Sequence, residues 1–425
     1  MATLADRVRG ERIAADLAAL AALTRRDQPG YTRLAFSQED RRARAWLRDR
    51  MGEAGLSVQV DAAANVMGRR PGDPGGHRGS PSGAQLGSLA IGSHLDTVPQ
   101  GGRFDGTAGV VAGLEVARVL KESARRTRHP LEVIAFTNEE PNAFGLSTVG
   151  SRAMAGKLTA DRVRALREPG GRTLAEAIDS VGGDAAHLEA AHRPRGAIAH
   201  YLELHIEQGP VLDREKVPVG LVTGIAAPTR LRVRLGGRPD HAGTTPMEMR
   251  RDALAGAAEA VLALERIATH TPETVGTVGC LTNSPNHANV VPAQVEMLLE
   301  FRSILPERIA AVKKKFLEAL QEVARRRGLD VSWEVLLEER PVPIPAETVA
   351  MAATVCQELG IPYRRLASGG SHDANHIAEI APVAMLFVPS VGGRSHCPEE
   401  FTETDHLAAG TRVLLDLLLR LDTRP

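Results

Sequence analysis

The chain has 425 residues, long for one domain, and its 43% apolar and 24% charged residues are those of an ordinary globular protein. Its 52 basic and 52 acidic residues cancel, so bulk charge points to neither nucleic acid nor a membrane surface. Cys280, Cys356 and Cys397 are odd in number and lack metal spacing, which argues against a disulfide framework and for a reducing compartment.

The opening MATLADRVRGERIAADLAAL reads as a charged amphipathic helix, not a basic region followed by an apolar one. No apolar run reaches the ~18 residues of a membrane span, and a cytoplasmic protein is expected. Residues 5–23 and 38–55 read as helices, the second ending at Gly55. LSVQVDAAANVMGRR alternates as strands, and the Gly/Pro/Ser loop 71–88 leaves His77 in solvent. The strand LAIGSHLD, a helix over 107–122 and the strand LEVIAFTNEE (131–140) follow. Such alternation predicts an α/β fold, a mixed and largely parallel sheet flanked by helices, with ligands collecting at the carboxyl ends of strands.

After about residue 225 the pattern changes. TRLRVRLGG (229–237) alternates as a strand, then come a helix over 249–268, strands at 274–282 and 290–303, a helix over 306–327 and a strand at 331–339. This predicts a two-layer α+β insert over 225–334 within a discontinuous domain of 1–224 and 335–425. The basic runs at Lys313 to Lys315 and Arg325 to Arg327 read as solvated helix faces.

Several His and acidic residues fall at predicted strand ends. SHLD supplies His94 and Asp96, which on a strand would point the same way, so that Asp96 could accept the second ring N–H of His94. Asp105 follows the Gly101-Gly102 turn, and TNEE adds Glu139 and Glu140. ELHIEQG adds His205, with Glu203 and Glu207, and SVGGRSHCPEE adds His396. Singly, each such histidine is as well a hydrogen-bonded structural one; together with the carboxylates they suit zinc or a neighbouring divalent metal. An aspartate bridging two ions ~3.5–4 Å apart would make a two-metal hydrolase site.

GSHLDTVPQGGRFDG, NEEPNAFG, ELHIEQGPVL, HAGTTPM, PNHANVVP and GRSHCPEE together resemble the hydantoinase/carbamoylase branch of the co-catalytic zinc aminoacylase/carboxypeptidase-like hydrolases. That branch comprises N-carbamoyl-L-amino-acid hydrolases, allantoate amidohydrolases and beta-ureidopropionases. The resemblance runs from TRLAFSQED to FTETD, and implies a zinc-exopeptidase-like catalytic domain with an inserted lid and dimerisation domain. By resemblance His94, Asp105, Glu140, His205 and His396 hold two divalent ions per subunit, zinc before manganese, cobalt or nickel, with Asp105 bridging. Glu139 becomes the general base and Asp96 the partner behind His94.

The same resemblance makes His241 a catalytic donor and Asn289 and Arg302 a clamp for the substrate carboxylate, all reaching the partner's site in a homodimer. The bland reading of His241 is a cap on the following helix with Thr244 and Thr245. SGGSHDANH places Gly370, His372 and Asp373 near the substrate, and Gln208 after HIE helps shape the site. Two departures stand out: Pro228 and Thr229 lie where ureido-binding members often carry Gln, and EEPNAFGLSTVGS replaces EEG-x-RF. Cys397 beside His396 reads as a packed thiol. The reaction expected is hydrolysis of the C–N bond of an N-carbamoyl amino acid or related ureido acid, a small substrate bearing a carboxylate. An aminoacylase or dipeptidase on the same site is the alternative, and a binding protein on a decayed hydrolase fold is a third.

Overall fold

The computed structural model describes residues 3–25, 27–73 and 86–423; His77 and most of its loop lie outside them. Contacts divide the chain into two compact units. One comprises Met1–Thr223, Ile344–Leu366 and His372–Pro425, and the other Gly224–Pro343 and Ala367–Ser371.

The first unit opens with helices α1 (Gly10–Ala22) and α2 (Gln38–Glu53). Ser37 caps α2 by accepting from Asp40 N–H, and Gly55 beyond its end takes φ +80°, as that glycine was expected to do. Strands β1 (Ser57–Val60), β2 (Val66–Arg70) and β3 (Ser88–His94) precede α3 (Thr107–Glu122) and β4 (Leu131–Phe136). Helices α4 (Val149–Met154), α5 (Ala160–Ala165) and α6 (Leu174–Asp179) lead to β5 (Ile198–Ile206), α7 (Val211–Glu215) and β6 (Val219–Ile225).

The second unit contains β7 (Ala227–Gly236), α8 (Ala253–Thr269), β8 (Thr274–Ser284), β9 (Gln294–Ser303), α9 (Pro306–Arg327), β10 (Asp330–Glu338) and β11 (Val342–Pro343). Its antiparallel sheet, in the order β10-β7-β9-β8, turns Leu231, Val233, Leu235, Met297, Leu299 and Phe301 toward one apolar core. Helices α8 and α9 fill that core with Ala257, Ala260, Leu264, Val312, Phe316 and Leu320, giving two layers. Pro306 starts α9 and Gly328, at φ +64°, stops it, which is why the helix matches its expected bounds. Both basic runs lie on α9 and are ion-paired, Lys313 with Glu338 at 2.8 Å and Arg326 and Arg327 with Glu259 of α8. The expected insert boundary at 334 falls inside β10, whose pairing with β7 continues to Glu338 and Thr229.

Returning to the first unit, the chain forms α10 (Ala346–Glu358), β12 (Tyr363–Ser368, its last residues in the second unit), α11 (Ala374–Ile377), β13 (Val383–Val388) and α12 (Thr404–Asp422). The sheet runs β1-β2-β4-β3-β5-β13-β6, with β4, β3, β5 and β13 mutually parallel and the outer pairs antiparallel. Every residue of β3, β4 and β13 is buried, as expected of parallel strands covered on both faces. Gly109 lets α3 approach β5: a Cβ there would lie 2.4 Å from the Leu204 carbonyl. The carboxyl ends of β3, β4, β5 and β13 therefore open on one edge of the sheet, and the chain's acidic and imidazole groups gather there.

Candidate metal centre

Parallel pairing brings the ends of β3 and β5 side by side, and the turn before α3 returns Asp105 to them. His94 Nε2 lies 3.6 Å from Asp105 Oδ1, and His205 Nε2 lies 3.1 Å from the same oxygen. On the other side of that carboxylate, His396 Nε2 is 3.1 Å from Asp105 Oδ2 and 3.3 Å from Glu140 Oε1. Two groups with metal-ligand geometry thus share Asp105: His94, Asp105 and His205, and Asp105, Glu140 and His396. A third comprises Glu203, His205 and His372. Glu139 belongs to none of these groups, yet its Oε2 lies 3.8 Å from His94 Nε2.

The donors are aimed by their outer nitrogens. His94 Nδ1 bonds the Asp96 carbonyl at 2.9 Å, and His205 Nδ1 bonds the Ile206 carbonyl at 2.9 Å, leaving both Nε2 atoms facing Asp105. The Asp96 carboxylate does not hold the His94 ring as expected: its Oδ1 stands 3.9 Å from Nδ1. It accepts instead from the N–H groups of Glu139 at 3.2 Å and Glu140 at 3.0 Å. The reason is that β3 ends at His94, so strand alternation no longer governs Asp96. Likewise β4 ends at Phe136, and Asn138 turns left-handed at φ +52°. Glu139 and Glu140 therefore sit in a turn, one carboxylate toward His94 and the other toward His396.

Two further residues, Glu400 and Ser395, support Asp105. Glu400, 2% exposed, accepts from the N–H groups of Phe104 at 2.9 Å and Asp105 at 3.1 Å. Ser395 Oγ lies 3.2 Å from Asp105 Oδ2 and 3.0 Å from Glu400 Oε2. A Cβ on Gly102 would come within 2.0 Å of the Glu400 carboxyl, and one on Gly106 within 2.4 Å of the His94 ring, so both turns need glycine. The only sequence signal for Glu400 is its place in SHCPEE.

Electrostatics favour cations here. Burial and then the charges of Glu140, Asp373 and Asp96 hold the Glu139 carboxyl's pKa well above its ordinary value. Burial pushes Asp96 up to about 6, and burial with Glu203 pushes Asp373 up to about 8. Hydrogen bonding to Asp105 and Glu140 pushes His396 up to about 11. Against burial, which favours a neutral ring, Asp105 raises His94 and His205 as well. Protons crowd onto a cluster with too much negative charge, the condition a divalent cation relieves. His205 Nε2 is buried and makes no hydrogen bond, an orphan donor atom of the kind a metal satisfies. The residues present fit such an ion.

Of the other expected site residues, Gln208 donates to Asp105 Oδ2 at 2.8 Å, and buried His372 packs its ring 4.6 Å from that of His205. His241, Asn289, Arg302 and Gly370 belong to the second unit. There His241 and Asn289 are exposed neighbours: His241 bridges Val290, and Ala242 N–H donates to the Asn289 carbonyl. His241 does not cap α8, a role taken by Asp252; its Nδ1 accepts from Gly243 N–H at 3.0 Å. Arg302 pairs with Glu300 at 2.5 Å and donates to the Gly369 carbonyl at 2.9 Å, beside Gly370. Cys397 is half-exposed next to Arg394 rather than packed.

Residues 90–420 match the sequence model of peptidase family M20/M25/M40. The chain is 40% identical over 415 residues to an N-carbamoyl-L-amino acid amidohydrolase of Geobacillus stearothermophilus, covering 97% of this chain and 99% of that one. It is 39% identical over 420 residues to an N-carbamoyl-L-amino-acid amidohydrolase of Paenarthrobacter aurescens, covering 98% and 99%. The crystal structure of a hydantoinase/carbamoylase family amidase from Burkholderia multivorans matches with a TM-score of 0.90 at 34% identity, over 99% of each chain.

Proposed function

The chain belongs to peptidase family M20/M25/M40, and on that premise we propose that it is a metal-dependent amidohydrolase cleaving the C–N bond of an N-carbamoyl amino acid or related ureido acid. The observation that carries this reading is the pair of His–carboxylate groups meeting on Asp105, with the uncommitted carboxyl of Glu139 beside them. We assign His94, Asp105 and His205 to one divalent ion and Asp105, Glu140 and His396 to a second, zinc before manganese, cobalt or nickel. Bound there, such ions supply Lewis acidity to water and to the scissile carbonyl.

The chain's own residues handle the proton and the substrate. Glu139 Oε2 takes a proton from the attacking water and delivers it to the leaving nitrogen. A carboxyl so buried and so close to other acids ionises more readily when positive charge is placed among its neighbours, which couples its basicity to metal loading. Asp96 keeps the Glu139–Glu140 turn in place through two backbone N–H groups. His241 donates to the tetrahedral oxyanion, and Asn289 and Arg302 receive the substrate carboxylate, for which a planar guanidinium is the best bidentate partner. Gln208, Gly370 and His372 contact the remainder of the substrate. The protein works as a homodimer in which the insert, Gly224–Pro343, serves the partner's centre as lid and dimerisation domain. What supports this is the exposure of His241 and Asn289 together in the second unit. Among the described residues no helix is long and apolar enough to cross a membrane, and the odd set of three free cysteines supports a cytoplasmic location.

The test is ammonia release from a panel of N-carbamoyl amino acids by zinc- or manganese-loaded protein. Ammonia and amino acid appearing together support carbamoyl cleavage; amine release from N-acyl amino acids or dipeptides without ammonia moves the protein to the aminoacylase or dipeptidase class. Glu139→Gln is expected to lower turnover by about 10²-fold or more with metal content unchanged. Undiminished turnover in that variant rules out Glu139 as the base.

A further inference from the structure

The segment that follows the paired glutamates and the helix that follows His372 meet at Thr148. This residue is left-handed, φ +53° and ψ +38°, a region that a β-branched side chain enters only when its surroundings impose it. Its N–H donates to the Glu139 carbonyl at 2.9 Å, Val149 N–H to the Asn138 carbonyl at 3.0 Å and Gly150 N–H to the Thr137 carbonyl at 2.8 Å. Residues 148–150 therefore run as a rail beside 137–139, and Thr148 is the end of that rail at Glu139.

Glycine would take this conformation without strain, so what threonine adds is its hydroxyl. Oγ1 lies 2.9 Å from His376 Nε2 in α11 and accepts from Arg152 Nε at 2.9 Å. The hydroxyl, with one proton and two lone pairs, thus joins the guanidinium, which can only donate, to the imidazole of His376. Thr148 is 2% and His376 6% exposed, and Nδ1 has no hydrogen-bond partner, a cost accepted for holding the ring in this place. Burial, with Arg152 and Lys157 nearby, holds the His376 pKa down to about 3, so the ring stays neutral.

We propose that Thr148 and His376 are positioning residues, a buried hydroxyl–imidazole latch that fixes the backbone of Glu139 and thereby aims its carboxyl. The latch also ties the Glu139 turn to the start of α11, directly after His372 and Asp373, so the base and the SGGSHD loop share one anchor. This rests on the reading of Glu139 as the proton carrier.

The experiment compares Thr148→Ser, Thr148→Gly, His376→Leu and the Thr148→Gly/His376→Leu double variant of the full, metal-loaded chain, with Glu139→Gln alongside. Steady-state kinetics on an N-carbamoyl amino acid, metal content and melting temperature are measured for each. Thr148→Ser keeps the hydroxyl and is expected to hold kcat within about twofold. Thr148→Gly removes strain and hydroxyl together and is expected to lose about tenfold or more in kcat, with KM and metal content unchanged, as misplacement of a reacting group does. If the two residues act as one latch, the double variant is no slower than the worse single variant. Wild-type kcat in Thr148→Gly overturns the proposal, as does a loss expressed in KM or metal content. The Thr148→Gly and Thr148→Ser arms decide even if His376→Leu fails to fold. Full turnover in Glu139→Gln would strike the underlying reading instead, whatever Thr148 does.

Discussion

At the scale of single residues the centre is a problem of charge. Asp96, Asp105, Glu139, Glu140, Glu203 and Asp373 are all buried within one unit. In chelated protein, protons carry the balance: His94, His205, His396, Glu139 and Asp373 all bind them more tightly than the unfolded chain would. A raised pKa contributes stability below the unfolded value and loses it as pH climbs through the folded value. His372 and His376 have depressed values and act in the opposite sense, but only below about pH 6.5, where an unfolded histidine titrates. Above that point the raised groups decide. Chelated protein is therefore expected to lose melting temperature between about pH 7 and about pH 9, and saturating zinc to flatten the slope. Calorimetry across that window checks this; a chelated protein that becomes more stable on going alkaline contradicts it.

At the scale of elements, amphipathic periodicity and end signals decided most of what could be foreseen. Ile309, Val312, Phe316, Leu320 and Val323 recur at three- and four-residue intervals on α9 and all are buried, with Pro306 and Gly328 marking the ends. Phe316 is fully enclosed in the core of the second unit, so Phe316→Ala is expected to cost about 3–5 kcal/mol of stability. Chemical denaturation measures that loss, and metal content before the transition is expected to be unchanged because the proposed ligands all lie in the other unit. The opposite face of that sheet carries Arg230, Arg232 and Arg234 against Glu300, Glu334 and Glu296, cross-strand pairs that satisfy a solvated surface. Where an expected strand ran too far, as through TNEE, a left-handed residue had ended it, and nothing in local alternation signals that turn.

At the scale of the molecule, the discontinuous first unit sets the chemistry, since His396 returns from the far end of the chain to meet Asp105. The proposed exchange of inserts within a dimer has a sharp consequence. Glu139→Gln and Arg302→Ala homodimers are each expected to be nearly inactive. When the two are unfolded together and reassembled at equal amounts, activity is expected to recover to about a quarter of wild type, because half the dimers are mixed and each has one intact site. If each insert served its own chain, no activity would return.

The sequence by itself determined most elements up to residue 140 and between 229 and 339, and the residue types gathered at the centre. Helix and strand periods are local properties, and buried carboxylates and imidazoles at strand ends have few purposes. Only the tertiary structure decided how those residues are held. The Asp96 carboxylate turned from His94 to the backbone of Glu139 and Glu140, Glu400 reached across nearly 300 residues to Asp105, and Thr148 met His376. Such contacts depend on strand order, above all on β13 pairing with β5, and on where each strand stops. Neither is written in any short window of sequence, because both follow from which surfaces bury each other when the whole sheet forms.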